Sequence, residues 1–463
     1  MTSLPRSAPG EQGVDARALL RVLDALEAHP DIEMHGLVVL RHGHVVAEGW
    51  WSPYTPDRPH LVYSLSKSFT MTAALLAQAE GVLDLGDTVL SHFPELDAEV
   101  ADPRSRATTF RHVASMASGH AADLQGLLFA HPDEPVRALL TTPPDAEPGT
   151  LFAYNQLCTY ALAAAIQRAT GRRLTEYLRP RLLDPLGIGE VGWQDYPEGR
   201  EVGFSGLHAR TEDLAKLGQL YLQRGRWRER QLLPEELVAE ATRKHVDNSA
   251  QHDVDWQQGY GQQFWIGRHG YRGDGAFGQF CIVLPEQDVV VATTACTEAM
   301  QAVLDVLWAE LLPGLSSPDP STETELSSRL AGLSLPPSPG SAGPAGSWTL
   351  PVTPGERVHL QSVELSGDDG VTLALVEDGD RITLPVGLGE WAVSEPVTHS
   401  GHTVPVAASG GWTEDGGFRA EVLFLETPHR MDLVLDVEAG TAAATWRLLP
   451  LGLTRLAGLH CPR

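Results

Sequence analysis

The stretch LVYSLSKSFT, residues 61–70, places Ser64 three positions before Lys67. The chain carries only three lysines, Lys67, Lys216 and Lys244, against 31 arginines, so a lysine here asks for a reason. A serine hydroxyl is a weak nucleophile until a nearby base removes its proton. On a helix, positions i and i+3 share a face at about 5–6 Å. If Ser64 opens a helix, the Lys67 amine reaches its Oγ from one turn on. The helix N-terminus favours negative charge developing on the serine or on an acyl oxyanion. Burial against Phe69, Leu75 and a sheet lowers the lysine pKa. Bringing it from ~10.4 to near 7 costs roughly 4 kcal/mol, which a desolvated lysine can meet. Arginine does not deprotonate in proteins. A removable proton therefore accounts for the lysine. The bland alternative is a lysine on an exposed helix face, and with 26 serines and three lysines chance supplies an S-x-x-K about 0.2 times.

Working outward, the sequence after Ser64 keeps a helical pattern, SKSFTMTAALLAQAEG, with Gly81 as its stop. Upstream, residues 14–28 form an amphipathic helix with Leu19, Leu20, Val22, Leu23 and Leu26 on one face. HGLVVL (35–40) and HVVAEGWW (44–51) form a hairpin across Arg41–Gly43. Helices and loops occupy about 82–245. Strands return in FCIVLPEQDVVVATT (280–294), turning at Pro285–Asp288, and EAMQAVLDVLWAELL (298–312) closes the section as a helix. Strands from both ends around a helical block make an α+β layout. Residues 313–347 are rich in Pro, Ser and Gly and are expected to be a linker, with room for a short helix at 323–332. The remaining 348–463 is a run of short β segments, as in a small barrel or sandwich. The expected units are thus 1–312, 313–347 and 348–463.

The 463-residue length suits two or three domains. A formal net charge of -26 disfavours nucleic acid and anionic lipid as partners. No apolar leader and no long apolar span is present, and the four scattered cysteines suit free thiols in a reducing compartment. A soluble cytoplasmic protein is expected. Asp213 is expected to be a helix N-terminal carboxylate, and His42, His44, His399 and His402 to be solvated turn residues, so no metal site is expected. No G-x-S-x-G and no phosphate or dinucleotide loop occurs.

YSLSKSFT resembles the nucleophile motif of the serine β-lactamase and penicillin-binding-protein superfamily, in its class C β-lactamase-like branch. Further stretches resemble landmarks of that branch in the same order: TFRHVASMASG, EPGTLFAYNQ, LLDPLGI, GLHARTEDLAKLGQLYLQRGRW and GAFGQFCIVLPEQDVVV. The resemblance covers about residues 12–312. It implies a β-lactamase/transpeptidase-like fold, followed here by the all-β unit, which resembles accessory domains of the branch. It also implies that Tyr154, in EPGTLFAYNQ, lies between lysine and serine as base or proton relay. The usual Tyr-x-Asn reads Tyr154-Asn155-Gln156, so Gln156 is expected to hold a substrate carbonyl or the lysine. The third motif departs from the family in RHGYRGDGAFGQF (268–280). Either His269-Gly270-Tyr271 fills it, or Gly275 ends the strand and the Ala276 and Ser64 amides form the oxyanion hole, as in the nylon-oligomer hydrolase type. The second register is preferred. No Lys-Thr-Gly is present to seat a substrate carboxylate. Arg272 is the candidate substitute, with solvated surface or a pair with Asp274 as its structural alternatives.

The resemblance implies a serine hydrolase that cleaves a small-molecule ester, amide or lactam through an acyl-enzyme at Ser64, without metal or organic cofactor. An intracellular esterase or amidase is preferred. A β-lactamase or D-amino-acid peptidase, an acyltransferase and a catalytically silent ligand-binding member are the alternatives. A homo-oligomer is compatible with the sequence.

Overall fold

The computed structural model describes residues 3–315, 320–367, 370–452 and 454–462. Residues 316–319 of the expected linker lie outside the described residues, as do residues 1–2, 368–369, 453 and 463 of the units that flank it.

Helix α1 (Ala16–Ala28) begins where the Asp15 side chain accepts from Arg17 N, which caps the first turn. Its buried face is Leu19, Val22, Leu23 and Leu26. Strands β1 (Glu33–Arg41) and β2 (His44–Trp50) follow as a hairpin turning on His42 and Gly43, both at positive φ. The helical block then contains α2 (Ser66–Ala79), α3 (Gln156–Thr170) and α4 (Thr211–Leu222). Four more strands complete the sheet: β3 (Trp265–Ile266), β4 (Tyr271–Gly275), β5 (Gln279–Leu284) and β6 (Val289–Cys296). The order is β2-β1-β6-β5-β4-β3, antiparallel throughout. The two ends of the first unit therefore meet at the β1–β6 pairing.

Both faces of this sheet are covered. Leu37 and Val39 of β1, with Val289 and Val291 of β6, face α1 and the helix that starts at Met300. Val38, Leu40, Val290 and Ala292 face α2, α3 and α4. Alternation is hidden in the sequence because both sets are apolar, so these strands read as continuous hydrophobic runs. Helix α2 is buried on all sides, every residue from Ser66 to Ala77 included. It is the core of the helical block rather than a surface helix.

The second unit is a nine-stranded sheet: β7 (Ser347–Thr353), β8 (Leu360–Ser366), β9 (Thr372–Glu377), β10 (Asp380–Pro385), β11 (Ala392–Ser394), β12 (Val406–Trp412), β13 (Phe418–Phe424), β14 (Arg430–Asp436) and β15 (Thr441–Trp446). The order is β10-β9-β8-β7-β15-β14-β13-β12-β11, with only β7–β15 parallel. A bridge from Gly387 to Ser409 brings the ends nearly together, giving a barrel-like sheet around one apolar core. The segment expected as a linker carries helix α5 (Glu323–Ala331) and buries Leu326, Leu333 and Leu335 against the α1 face of the first sheet. Ser52 N donates to Leu333 O and Leu335 N to Ser52 O, so this connector is packed. The barrel docks directly on the first unit. Leu61 N donates to Glu426 O at 2.8 Å, and Arg430 pairs with both Glu33 and Glu421. Among the described residues, no helix is long and apolar enough to cross a membrane.

Strand β4 lies unusually close to the start of α2. Gly273 and Gly275, two apart, bare one face of the strand. A Cβ at Gly273 would meet Ser68 Oγ at 2.5 Å, and one at Gly275 would meet Val62 O at 2.1 Å and Ser64 N at 3.1 Å. The second obstacle is backbone and cannot rotate away. Gly275→Ala is therefore expected to lose about 1–3 kcal/mol, measured as a lowered urea midpoint with an unchanged m-value. A midpoint equal to wild type would show that β4 and the 62–65 turn are not in contact.

Candidate active site

Ser64 sits in a 3-10 turn, Tyr63–Leu65, that runs into α2 at Ser66. Helix α2 thus opens two residues later than the sequence suggests, and Tyr63 ahead of Ser64 adopts a left-handed conformation at φ 46°. Ser66 ties the turn down: its Oγ donates to Tyr63 O at 2.5 Å and accepts from Leu207 N at 3.0 Å. Lys67 Nζ lies 2.9 Å from Ser64 Oγ and donates to Phe204 O at 2.8 Å. Lys67 is 1% exposed. Burial lowers its pKa to about 7, opposed by the charges of Asp123 and Asp274. The other two lysines differ in kind. Lys216 pairs with Asp213, the helix N-terminal carboxylate, and Lys244 with Asp247.

Tyr154 precedes α3, whose first turn Asn155 caps by accepting from Leu157 N at 3.1 Å. The Tyr154 ring stacks on Trp265 at 5.3 Å and lies 4.7 Å from Lys67 Nζ. Burial and the Asp274 charge push the phenol pKa up, against the pull of the neighbouring Ser64 side chain. In the resting site, then, the amine gives up its proton more readily than the phenol. Gln156 N donates to Asp123 Oδ1 at 2.9 Å, while its own Oε1 is buried with no partner among the described residues.

At the third motif the structure brings Gly275 and Ala276 beside Ser64 and leaves His269 away from it. His269 lies in the turn closed by Gly267 N donating to Gly270 O, at the opposite end of β4, with its ring against Trp308. The His269 register is therefore corrected: a strand that delivers Gly275 to Ser64 carries His269 to its far end. Arg272 is corrected as well. It is buried, pairs with Asp274 at 3.0 Å, donates to Asp255 O at 2.8 Å and lies 4.2 Å over the Trp256 ring. A guanidinium so committed is no open seat for a carboxylate. Gln279 holds the 276–278 turn from behind, its Nε2 donating to Ala276 O, Phe277 O and Ala295 O.

Sequence reasoning misses three neighbours. Asp123 and Asp274 are the carboxylates whose charge the buried amine feels, and the Phe204 carbonyl is its second partner. Asp274 stands inside the quoted third motif, yet its letter alone gives no sign that it faces Lys67. Asp123 and Phe204 lie in loops without periodicity.

The chain is similar to several known proteins. It is 30% identical over 174 residues to lovastatin esterase of Penicillium rubens, covering 33% of this chain and 42% of the esterase. It is 27% identical over 235 residues to the 6-aminohexanoate-dimer hydrolase of Paenarthrobacter ureafaciens, covering 44% of this chain and 57% of the hydrolase. The chain thus spans about half the length of the curated relatives it matches. A penicillin-binding protein homologue from Caulobacter crescentus has the same fold, with a TM-score of 0.52 at 17% identity over 65% of this chain and 99% of that one. The family model described as Beta-lactamase matches residues 21–306. With that match spanning more than half of its length, and with an α+β sheet-and-helix fold of the same kind, this chain belongs to the beta-lactamase family.

Proposed function

We propose that this protein is a serine hydrolase that cleaves an ester or amide bond of a small molecule through an acyl-enzyme on Ser64. What carries the reading is one contact. A buried lysine amine with a pKa of about 7 stands 2.9 Å from a serine hydroxyl. Neutral Lys67 accepts the Ser64 proton as Oγ attacks the carbonyl carbon. The backbone N–H groups of Ser64 and Ala276 receive the oxyanion. Tyr154, which keeps its proton at rest, passes a proton to the departing alcohol or amine and is reprotonated through Lys67. Water then attacks the acyl group by the same steps in reverse. Gln156 holds a substrate carbonyl through its side-chain amide N–H. Within this proposal residues 1–312 are the catalytic unit, 313–347 a connector and 348–463 an accessory barrel.

The relatives named an esterase and a 6-aminohexanoate-dimer hydrolase support ester and amide chemistry. The burial of Arg272 against Asp274 weighs against β-lactams, whose carboxylate needs a free cation.

The direct test is intact mass after exposure to a panel of esters, amides and β-lactams. A mass increment on wild type, lost in Ser64→Ala, is expected. A panel that leaves wild type unmodified while it binds the same compounds would mean a silent ligand-binding member. Adding amines distinguishes hydrolysis from acyl transfer, which would appear as a new conjugate.

The pH dependence has a definite sign. Only the neutral amine serves as base, so kcat/KM is expected to climb about tenfold per pH unit below 7 and to level off above it. A profile flat from pH 5 to 9 would remove Lys67 from the role of base. Lys67→Arg keeps the charge but cannot yield the proton. It is expected to lose about 10²–10⁴ in kcat and the acid limb with it. Activity within threefold of wild type would count against the scheme.

A further inference from the structure

The residues that flank the two proposed oxyanion donors share an uncommon backbone. Tyr63, just before Ser64, has φ 46°, and Phe277, just after Ala276, has φ 68°. Bulky aromatic residues rarely adopt this region and persist there only where their surroundings hold them. The surroundings here come from the barrel. The Tyr63 and Phe277 rings meet edge-on at 5.3 Å, and a third ring, His429, completes the cluster at 5.8 Å from Tyr63 and 5.3 Å from Phe277. His429 lies between β13 and β14. The Tyr63 hydroxyl and His429 Nε2 share a short hydrogen bond. Burial holds the imidazole neutral, with its pKa lowered to about 3, so one ring nitrogen is an acceptor, and in the Nδ1–H tautomer that nitrogen is Nε2.

His429 is itself firmly placed. Its backbone N donates to Thr427 Oγ1 at 3.1 Å, its O accepts from Phe424 N at 3.0 Å, and its ring lies 6.1 Å from Trp446. Leu448, on the segment after β15, packs with Ala276 against the cluster formed by Leu61, Tyr63 and Phe277. The barrel thus grips the chain on both sides of the gap that a carbonyl oxygen would enter.

We propose that His429 is a positioning residue for the oxyanion hole, fixing Ser64 through the Tyr63 hydroxyl and Ala276 through the Phe277 ring. The inference rests on the serine-hydrolase reading above. It makes the barrel a working part of the active site. An oxyanion hole acts only when its donors stand within hydrogen-bonding distance of the position the oxyanion occupies, and it strengthens in the transition state. Loosening it lowers kcat and leaves KM nearly untouched.

The test uses the full-length chain, an activated p-nitrophenyl ester and a fluorophosphonate that titrates Ser64. His429→Leu and Tyr63→Phe are each expected to lower kcat per titrated site by about 10–100-fold with KM within about twofold. The double variant should be no worse than the more affected single one, because both remove the same bond. His429→Gln, whose amide oxygen can take over the acceptor role, should recover most of kcat. A purely structural role would instead lower the urea midpoint and the titrated fraction while kcat per titrated site stayed at wild type. That result, or additive losses in the double variant, overturns the inference. If His429→Leu does not fold, Tyr63→Phe and His429→Gln decide the matter by the same criteria. A wild-type protein that no acylating probe labels would remove the serine-hydrolase reading and this inference together. Normal labelling with unchanged kcat in the variants would remove this inference alone.

Discussion

Taking one ammonium group out of water is the constraint around which this molecule is arranged. Lys67 is buried, and among the described residues its amine finds a serine hydroxyl and a peptide carbonyl as hydrogen-bond partners. Its pKa falls from 10.5 to about 7 because burial outweighs the charges of Asp123 and Asp274. Between those two values the unfolded chain holds a proton that the folded chain releases. Folding stability therefore rises with pH through that window, and below pH 7 the full penalty of roughly 4–5 kcal/mol stands. A protein of ordinary stability can carry such a load only inside a large, well-packed core. Helix α2, apolar or small on every face from Phe69 to Ala77 and enclosed by α3, α4 and the sheet, supplies that core.

A second constraint is space. The 62–65 turn and the strand that faces it approach until backbone meets backbone at Gly275, and β4 bears Gly273 and Gly275 on the face toward α2. Glycine solves the approach but holds nothing in place by itself. The holding is done by side chains behind the chain: Ser66 under Tyr63, Gln279 under the 276–278 turn, and the three-ring cluster of Tyr63, Phe277 and His429. Bare strand face in front and packed polar and aromatic groups behind is an economical way to expose two amides while keeping them rigid.

Much of this was legible in the sequence, and the limits are physical. The β1–β2 hairpin, the α1 face and the β5–β6 hairpin follow from periodicity and turn residues. The Ser64–Lys67 pairing follows from helical spacing and from the scarcity of lysine. Strand β12 was not legible, because VAASGGW lacks the β-branched alternation of a strand. Its Gly410 and Gly411 are there for close approach, where Cβ atoms would meet Arg419 O at 2.1 Å and the Gly340 Cα at 2.6 Å. The third motif stayed ambiguous for a related reason. Two short glycine-containing segments six residues apart fit the same pattern, and only the direction of β4 separates them. Residues such as Phe204, Asp123 and His429 act through contacts 56 to 366 positions from the site residues they touch or influence. No local pattern encodes such distances.

The abundance of arginine bears on the same amine. Asp274 lies close enough for its charge, after that of Asp123, to raise the Lys67 pKa against burial. It is paired with Arg272, which is stacked on Trp256 and buried with it. A guanidinium suits that place because it keeps its charge when desolvated and fits a carboxylate and a ring face at once. By pairing with Asp274 it offsets a buried carboxylate whose charge acts on Lys67. The two cations thus divide the chemistry by their acidity. The one that never deprotonates pairs with the carboxylate, and the one that can stands, among the described residues, in no ion pair, beside the Ser64 hydroxyl.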